Sequence, residues 1–286
     1  MPSTQRFVLF LAAQAGRFPL KDAVDLGSQL GKTPQSVRAC VNRLARSSIL
    51  VREPSHGKAA WYALSPKGET VAAAIAAKFM RIHDIVELKD TWNGTWTLVC
   101  FGIPEKIRAR RVELRTRLRE IGFGQLAGGV WIAAGDATQS VGGLAESLGV
   151  AGRVMVSISK DVTLGGEPVR SAVSRVWPLS DLNRRYGSMR TRLKQRIQGM
   201  RTRLHKGSPP DSREAFLEVF VLFSEAAEII SLDPCLPEEL LPDDWLGLEV
   251  QDLIHEYFHM LYGLEQDDPY SFLLELPEGL HIPEPR

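Results

Sequence analysis

Thr33-Pro34-Gln35-Ser36-Val37-Arg38-Ala39-Cys40-Val41-Asn42-Arg43-Leu44-Ala45-Arg46 is followed by Ile49-Leu50-Val51-Arg52 and then by Trp61-Tyr62-Ala63-Leu64. The Thr33 hydroxyl can cap the first unpaired backbone N–H groups, and Pro34 suits a first helical turn where its missing N–H costs nothing. Val37, Cys40, Val41 and Leu44 recur at helical spacing and are expected to face a core. The other face carries Gln35, Arg38, Asn42 and Arg46, with Arg43 at its edge. These are hydrogen-bond donors and forks suited to base edges and phosphates. The two apolar strands that follow flank Pro54-Ser55-His56-Gly57-Lys58, a polar hairpin turn with a cation near its tip. A helix from Leu20 to Leu30 and a turn at Gly31 come before. Helix, turn, second helix and two-stranded wing together give a winged helix-turn-helix reading. Its expected DNA contacts are Gln35, Ser36, Arg38, Asn42, Arg43 and Arg46 in the major groove, with Lys58 on the wing. The plain alternative is a small helical domain whose polar face is merely solvated.

The chain has 286 residues, room for two or three domains, with 44% hydrophobic and 24% charged residues as in globular proteins. No apolar run approaches a membrane-spanning length. Phe7-Val8-Leu9-Phe10-Leu11-Ala12-Ala13 is too short for a convincing leader and reads as a first core helix, continuing through Gln14 to Lys21. Cys40, Cys100 and Cys235 are odd in number and far apart, which suits a reducing cytoplasm and offers no cysteine-based metal site. The net charge of +1 hides an asymmetry. Residues 1–88 hold 12 Lys/Arg against 6 Asp/Glu, whereas residues 179–286 hold 11 against 20. A basic front fits a polyanionic partner.

Ser65-Pro66 opens an Ala-rich helix expected to reach about Ile85. From Trp92 the period changes. Thr97 to Phe101, Val130 to Ile132 and Val154 to Ile158 read as strands, with helices from Pro104 and from Thr138 between them. That order suggests a ferredoxin-like α+β domain whose fourth strand is ill-defined; Gly122-Phe123-Gly124 reads as a helix stop. Glu167 to Arg175 is expected to be a short helix. After Val176-Trp177-Pro178-Leu179, three long helices are expected: Asp181 to Leu204, one capped by Asp211 with Glu214, and one ending near Tyr262. The fold class is therefore α+β multidomain: a winged helix-turn-helix over 1–88, a ferredoxin-like middle domain over 89–178, and an all-helical C-terminal domain over 179–286.

Three patches resemble the PaaX family of transcriptional regulators: Trp92-Asn93-Gly94-Thr95-Trp96 before its strand, Gly122-Phe123-Gly124-Gln125-Leu126, and the long Leu232–Gly247 segment, which includes Asp233-Pro234-Cys235-Leu236-Pro237 and Asp243-Asp244-Trp245. Val176-Trp177-Pro178-Leu179 and Tyr186 also sit where that family has a similar segment and Tyr. The resemblance spans nearly the whole chain. It implies a homodimeric repressor on double-stranded operator DNA that controls an aromatic-acid catabolic operon of the phenylacetate type. It further implies release by an aryl-CoA thioester, phenylacetyl-CoA or a related acyl-CoA, with no cofactor required and no membrane involved. A ligand pocket is expected where Trp177, Arg184, Tyr186 and Trp245 could meet.

Other motifs have rival readings. Nine cations from Arg184 to Lys206 share one helix with no acidic residue between those two ends. They could contact phosphates of DNA or ligand, or pair with the acidic remainder of the C-terminal region. A second basic set runs from Lys106 to Arg119. His255-Glu256-Tyr257-Phe258-His259 fits the His-Glu-x-x-His pattern, which puts two metal ligands and a general base on one helix face. No third ligand stands clearly at the usual downstream spacing, although Glu265 and His281 follow. The rival to a regulator is thus a metal-dependent hydrolase or nuclease built on His255 and His259. No catalytic residue is assigned otherwise, because no phosphate-binding glycine loop or nucleophile elbow is present.

Overall fold

The computed structural model describes residues 3–54, 59–73 and 92–262. They mix helices with small sheets and form two compact units: residues 1–80, 187–228 and 247–286 in one, residues 81–186 and 229–246 in the other. The units interleave along the chain and cut across the sequence-based boundaries at 88/89 and 178/179.

The first unit begins with α1 (Thr4–Ala15), β1 (Arg17–Pro19), α2 (Leu20–Gln29), α3 (Pro34–Arg46), β2 (Leu50–Glu53) and β3 (Trp61–Leu64). The expectation that the first helix runs on to Lys21 is corrected here. Gly16 adopts φ 65° and ends α1, and Arg17–Pro19 pairs antiparallel with Trp61–Ala63. The small sheet therefore has three strands, ordered β1-β3-β2. Helix α4 opens at Pro66 and is described to residue 73. The expected continuation to Ile85 lies outside the described residues. Gly68 in its first turn lies against the chain at Ile49, where a Cβ would stand 2.1 Å from the Ile49 carbonyl oxygen. The same unit holds α8 (Leu179–His205) from residue 187 on, α9 (Ser212–Ile230) to residue 228, and α10 (Gly247–Tyr262). Asp211 caps α9, its carboxylate accepting from the Glu214 N–H at 2.8 Å, as the sequence predicts. The core is aromatic: Phe10 of α1 packs among Phe216, Phe220 and Phe223 of α9 with ring centroids 5.1–5.4 Å apart.

The second unit is built on β4 (Trp96–Phe101), α5 (Arg108–Glu120), β5 (Gly124–Ala127), β6 (Val130–Ala134), α6 (Thr138–Ser147) and β7 (Val154–Ser159), whose strands form an antiparallel sheet in the order β5-β6-β4-β7. The strand that the sequence left undefined is β5, which starts inside the Gly-Phe-Gly segment. Side chains alternate across the sheet as strand geometry requires. Val99, Trp131 and Ala133 face Leu114, Leu118, Val141 and Ala145 of the helices. Trp96 and Ile132 face the other way, onto Val173, Trp177, Leu179, Leu236 and Leu240. The short helix expected over Glu167–Arg175 is instead a strand pair followed by helical turns. Glu167 opposes Leu164, then a 3-10 turn (Val169–Ala172) leads into α7 (Val173–Val176). Val169 supplies the reason: its N–H bonds the Val162 carbonyl at 2.8 Å, tying the segment back into a hairpin.

Candidate functional site

Helix α3 is placed by local rules the sequence already carries. The Thr33 side chain accepts from the Ser36 N–H at 3.2 Å, and the chain reverses at Gly31 with φ 70°. Helix α2 lies close against α3 because residue 27 is glycine; a Cβ there would come within 2.9 Å of Val37 Cγ2 and 3.3 Å of Phe7 Cε1. Val37, Cys40, Val41 and Leu44 are buried, as their spacing predicts.

The opposite face is open. Gln35, Arg38, Asn42 and Arg46 are exposed and, among the described residues, make no hydrogen bond or ion pair with other side chains or backbone outside the helix. Ala39 lies among them, also exposed, and leaves the face flat. Ser36 and Arg43 are differently placed. The Ser36 hydroxyl donates to the Thr33 carbonyl at 2.8 Å. The Arg43 guanidinium donates to Gln5 Oε1 at 3.3 Å and to Cys40 Sγ at 3.7 Å, which draws it back toward α1. Lys58 lies outside the described residues. Arg52 on β2 is exposed, and Lys67 donates to the Ser47 carbonyl at 2.9 Å and helps cap the end of α3.

The basic run on α8 is arranged otherwise. Arg190 and Lys194 pair with Glu249 at 3.0 and 2.6 Å, and Arg192 and Arg196 with Glu225 at 3.5 and 3.0 Å. Arg201 pairs with Glu256 at 2.6 Å and Arg203 with Glu214 at 2.8 Å. Of the two rival readings of that run, the geometry favours pairing with the acidic helices α9 and α10. Two hydrogen bonds from Lys194 and Arg190 hold the Glu249 carboxyl below its ordinary range.

His255 and His259 stand one turn apart on α10, and each already has an interaction partner. Glu256, the residue a hydrolase would need as general base, is the acceptor of the Arg201 bond. Among the described residues no group of three His, Cys, Asp or Glu side chains could hold a metal ion. Glu265 and His281 lie outside the described residues.

The expected ligand residues fall into two groups, both in the second unit. Tyr186 and Trp245 do meet, edge to face at 5.4 Å. Tyr186 is buried and its hydroxyl donates to Asp233; burial first, then the nearby carboxylate, pushes its pKa well above the usual value. The two rings pack together within the second unit. Trp177 is instead part of a cleft of about 420 Å³ lined by Arg119, Gly122–Gln125, Val176–Leu179, Asp181, Leu182, Arg185, Ser231, Leu232 and Pro234. Trp177 is fixed by stacking on Trp96 at 6.4 Å and by donating its ring N–H to the Gly122 carbonyl at 3.2 Å. Gly124 is needed beneath it, since a Cβ would lie 2.3 Å from Val176 Cγ1 and 2.8 Å from Trp177 Cε2. Arg184 does not line the cleft; it bonds Asp181 on the exposed start of α8.

Residues 89–172 match the model described as "PaaX protein central Cas2-like domain", and residues 177–267 match "PaaX-like protein C-terminal domain". The chain is 25% identical over 246 residues to the transcriptional repressor PaaX of Escherichia coli K12, covering 85% of this chain and 74% of that protein. A solved structure of an uncharacterized protein from Mycobacterium tuberculosis is similar at 21% identity and a TM-score of 0.49, covering 85% of this chain and 88% of that one. The chain belongs to the PaaX family and is a regulator rather than an enzyme. Among the described residues no helix is long and apolar enough to cross a membrane.

Proposed function

We propose that this chain is a cytoplasmic transcriptional repressor of a phenylacetate-type catabolic operon. It binds double-stranded operator DNA as a homodimer and is released by phenylacetyl-CoA or a related acyl-CoA. The observation that carries the DNA assignment is the contrast in ion pairing. Six cations of α8 are neutralised by acids of α9 and α10, whereas Arg38 and Arg46 on α3 have no acidic partner among the described residues. In this reading residues 1–88 form a winged helix-turn-helix, with α3 in the major groove, Gln35, Arg38, Asn42 and Arg46 at base edges or phosphates, and Ser36, Arg43 and Lys58 at its margins. Residues 89–178 form the ferredoxin-like domain, and 179–286 contribute to dimerisation and ligand response. The β-α-β-β-α-β order of the second unit and its strand order support the middle assignment. Release follows if the ligand prefers a conformation that spaces the two reading heads wrongly, in proportion to its differential affinity.

The test is binding of the full chain to its own upstream region in a salt series, followed by fluorescence anisotropy, with and without phenylacetyl-CoA. Arg38→Ala and Asn42→Ala should each cost about 1–3 kcal/mol of specific binding. Relief by the thioester, and not by free phenylacetate or CoA, is expected. Specific binding that survives both substitutions unchanged would remove α3 from the interface; binding indifferent to the thioester would remove the effector.

A further inference from the structure

We infer that the open face of α3 is positioned from α9, by way of α1: Gln5 and Phe7 of α1 aim α3, and Arg6 and Phe10 fasten α1 to α9. The inference deepens the proposed function and rests on its assignment of α3 to DNA. It makes α9, far along the chain from the winged helix, a working part of the DNA-binding unit. Gln35, Arg38, Asn42 and Arg46 make no bond outside their helix among the described residues, so where they point is set by where α3 lies.

Helix α1 holds α3 in two ways. Gln5 Oε1 accepts from Arg43 Nη2 at 3.3 Å, and the same nitrogen reaches Cys40 Sγ at 3.7 Å. A surface arginine left to itself samples many rotamers; these acceptors keep this one at the margin of the open face. Phe7 is fully buried where α2 crosses α3. A Cβ on Gly27 would come 3.3 Å from Phe7 Cε1 and 2.9 Å from Val37 Cγ2, so ring, glycine and α3 are in close register. A close-packed interior passes displacement on, and a shift of Phe7 is felt in the α2–α3 crossing.

Helix α9 in turn holds α1. Phe7 meets Phe220 edge to face at 5.5 Å, so one buried ring touches both the α2–α3 crossing and α9. Phe10, almost one turn on, packs among Phe216, Phe220 and Phe223. Arg6 donates from Nη1 to the Ser224 carbonyl at 3.3 Å and lies 3.9 Å from Glu228. Stacked rings can slide over one another, whereas a bond to one backbone carbonyl fixes α1 along the axis of α9. All these residues lie in the first unit. Without α9 the rings of Phe7 and Phe10 lose these aromatic neighbours, and the winged helix does not close its core by itself.

The experiment uses the full chain and its own upstream DNA, with affinity read by anisotropy in a salt series at temperatures where circular dichroism shows every variant folded. Arg6→Ala and Phe223→Leu loosen the α1–α9 seam. Tyr257→Phe is the control: it removes the bond from α10 to Glu218 at 3.1 Å, in the same unit, without touching α1. Specific affinity should fall about threefold to tenfold in the two seam variants, less than on deleting a base-contacting side chain, because contacts are misaimed rather than removed. Arg6→Gln, which can still donate to the Ser224 carbonyl, should recover part of the loss, and Tyr257→Phe should bind as the parent does. Gln5→Glu turns the bond to Arg43 into an ion pair, so the salt slope should fall by about 0.9, one phosphate contact fewer, with the fold intact. Parent affinity in both seam variants, or a parent slope in Gln5→Glu, would overturn the inference. Hydrogen exchange over residues 34–46 without DNA separates it from the reading it rests on. If Arg38→Ala and Asn42→Ala bind like the parent while exchange in α3 quickens in the seam variants and not in the control, the DNA role of α3 fails and the α9-to-α3 linkage stands. If Arg38→Ala weakens binding while the seam variants keep parent exchange and affinity, α3 reads DNA and the linkage fails.

Discussion

Gly68→Ala should destabilise the first unit, against the usual direction of a glycine-to-alanine change in a helix. Residue 68 lies in the first turn of α4, where alanine would ordinarily gain up to about 1 kcal/mol. Its added Cβ would stand 2.1 Å from the Ile49 carbonyl oxygen and 3.1 Å from Leu64 Cδ2. The carbonyl would have to retreat by about 1 Å to restore ordinary contact, an overpacking strain of about 1–3 kcal/mol. It has little freedom to do so. The Ile49 oxygen accepts the Ser65 N–H at 3.0 Å, and the Ile49 N–H is bonded to the Leu44 carbonyl at 2.9 Å at the end of α3. Breaking the Ser65 bond adds about 1 kcal/mol. The balance is a net loss of about 1–3 kcal/mol by these terms. Gly199→Ala is the matched control: the residue is exposed in α8 with nothing within 4 Å of its added Cβ, so a gain of up to about 1 kcal/mol is expected. Urea unfolding followed by circular dichroism gives both values, and hydrogen exchange at the Ser65 amide reports the local bond. Equal stabilisation by the two substitutions, with Ser65 protection intact, would refute the reasoning.

Two further outcomes follow from buried and paired groups. Tyr186→Phe removes the hydroxyl that donates to Asp233 and leaves the carboxylate without it, so it should lower stability by about 1–3 kcal/mol in thermal unfolding read by tryptophan fluorescence; an unchanged Tm would contradict the role given to that bond. The Glu249 carboxyl is held below its ordinary value of 4.5, so its stabilisation is present above that pH and lost as pH falls through the lower folded value; Glu249→Gln should flatten unfolding midpoints across the acid range, and an identical acid profile in the variant would count against the pairing.

Much of this was readable in the chain because the signals were local. Thr33 and Asp211 announce helix starts through bonds that span three residues, and Pro34 through its fixed φ at the first helical position; all three sit as expected. The buried face of α3 follows from spacing alone. The misses have equally physical causes. Strand β1 has three residues, too few for a period to show, and exists because β3 offers it a partner more than forty positions on. Strand β5 begins at a glycine whose use is to admit Trp177 from fifty-three residues away in number, so the segment looked only like a stop. Arg119 and Arg185 line the same cleft as Trp177, a placement the sequence does not foretell, because nothing in a basic helix marks which cation turns toward a cleft.

The distribution of charge joins these observations. Counted along the sequence, the strongest basic feature is α8, and a reading by composition would place the polyanion there. In the folded chain six of its cations meet Glu214, Glu225, Glu249 and Glu256. Exposed pairs of this kind add little stability each, but they cancel the local field that attracts phosphate. Helix α3 has fewer cations and no such acids, so Arg38 and Arg46 retain their field at the surface. A polyanion is drawn to uncompensated charge, not to the number of arginines in a segment. The modest basic face of α3, set on a buried apolar stripe and a threonine cap, is therefore better suited to nucleic acid than the far more basic helix that follows.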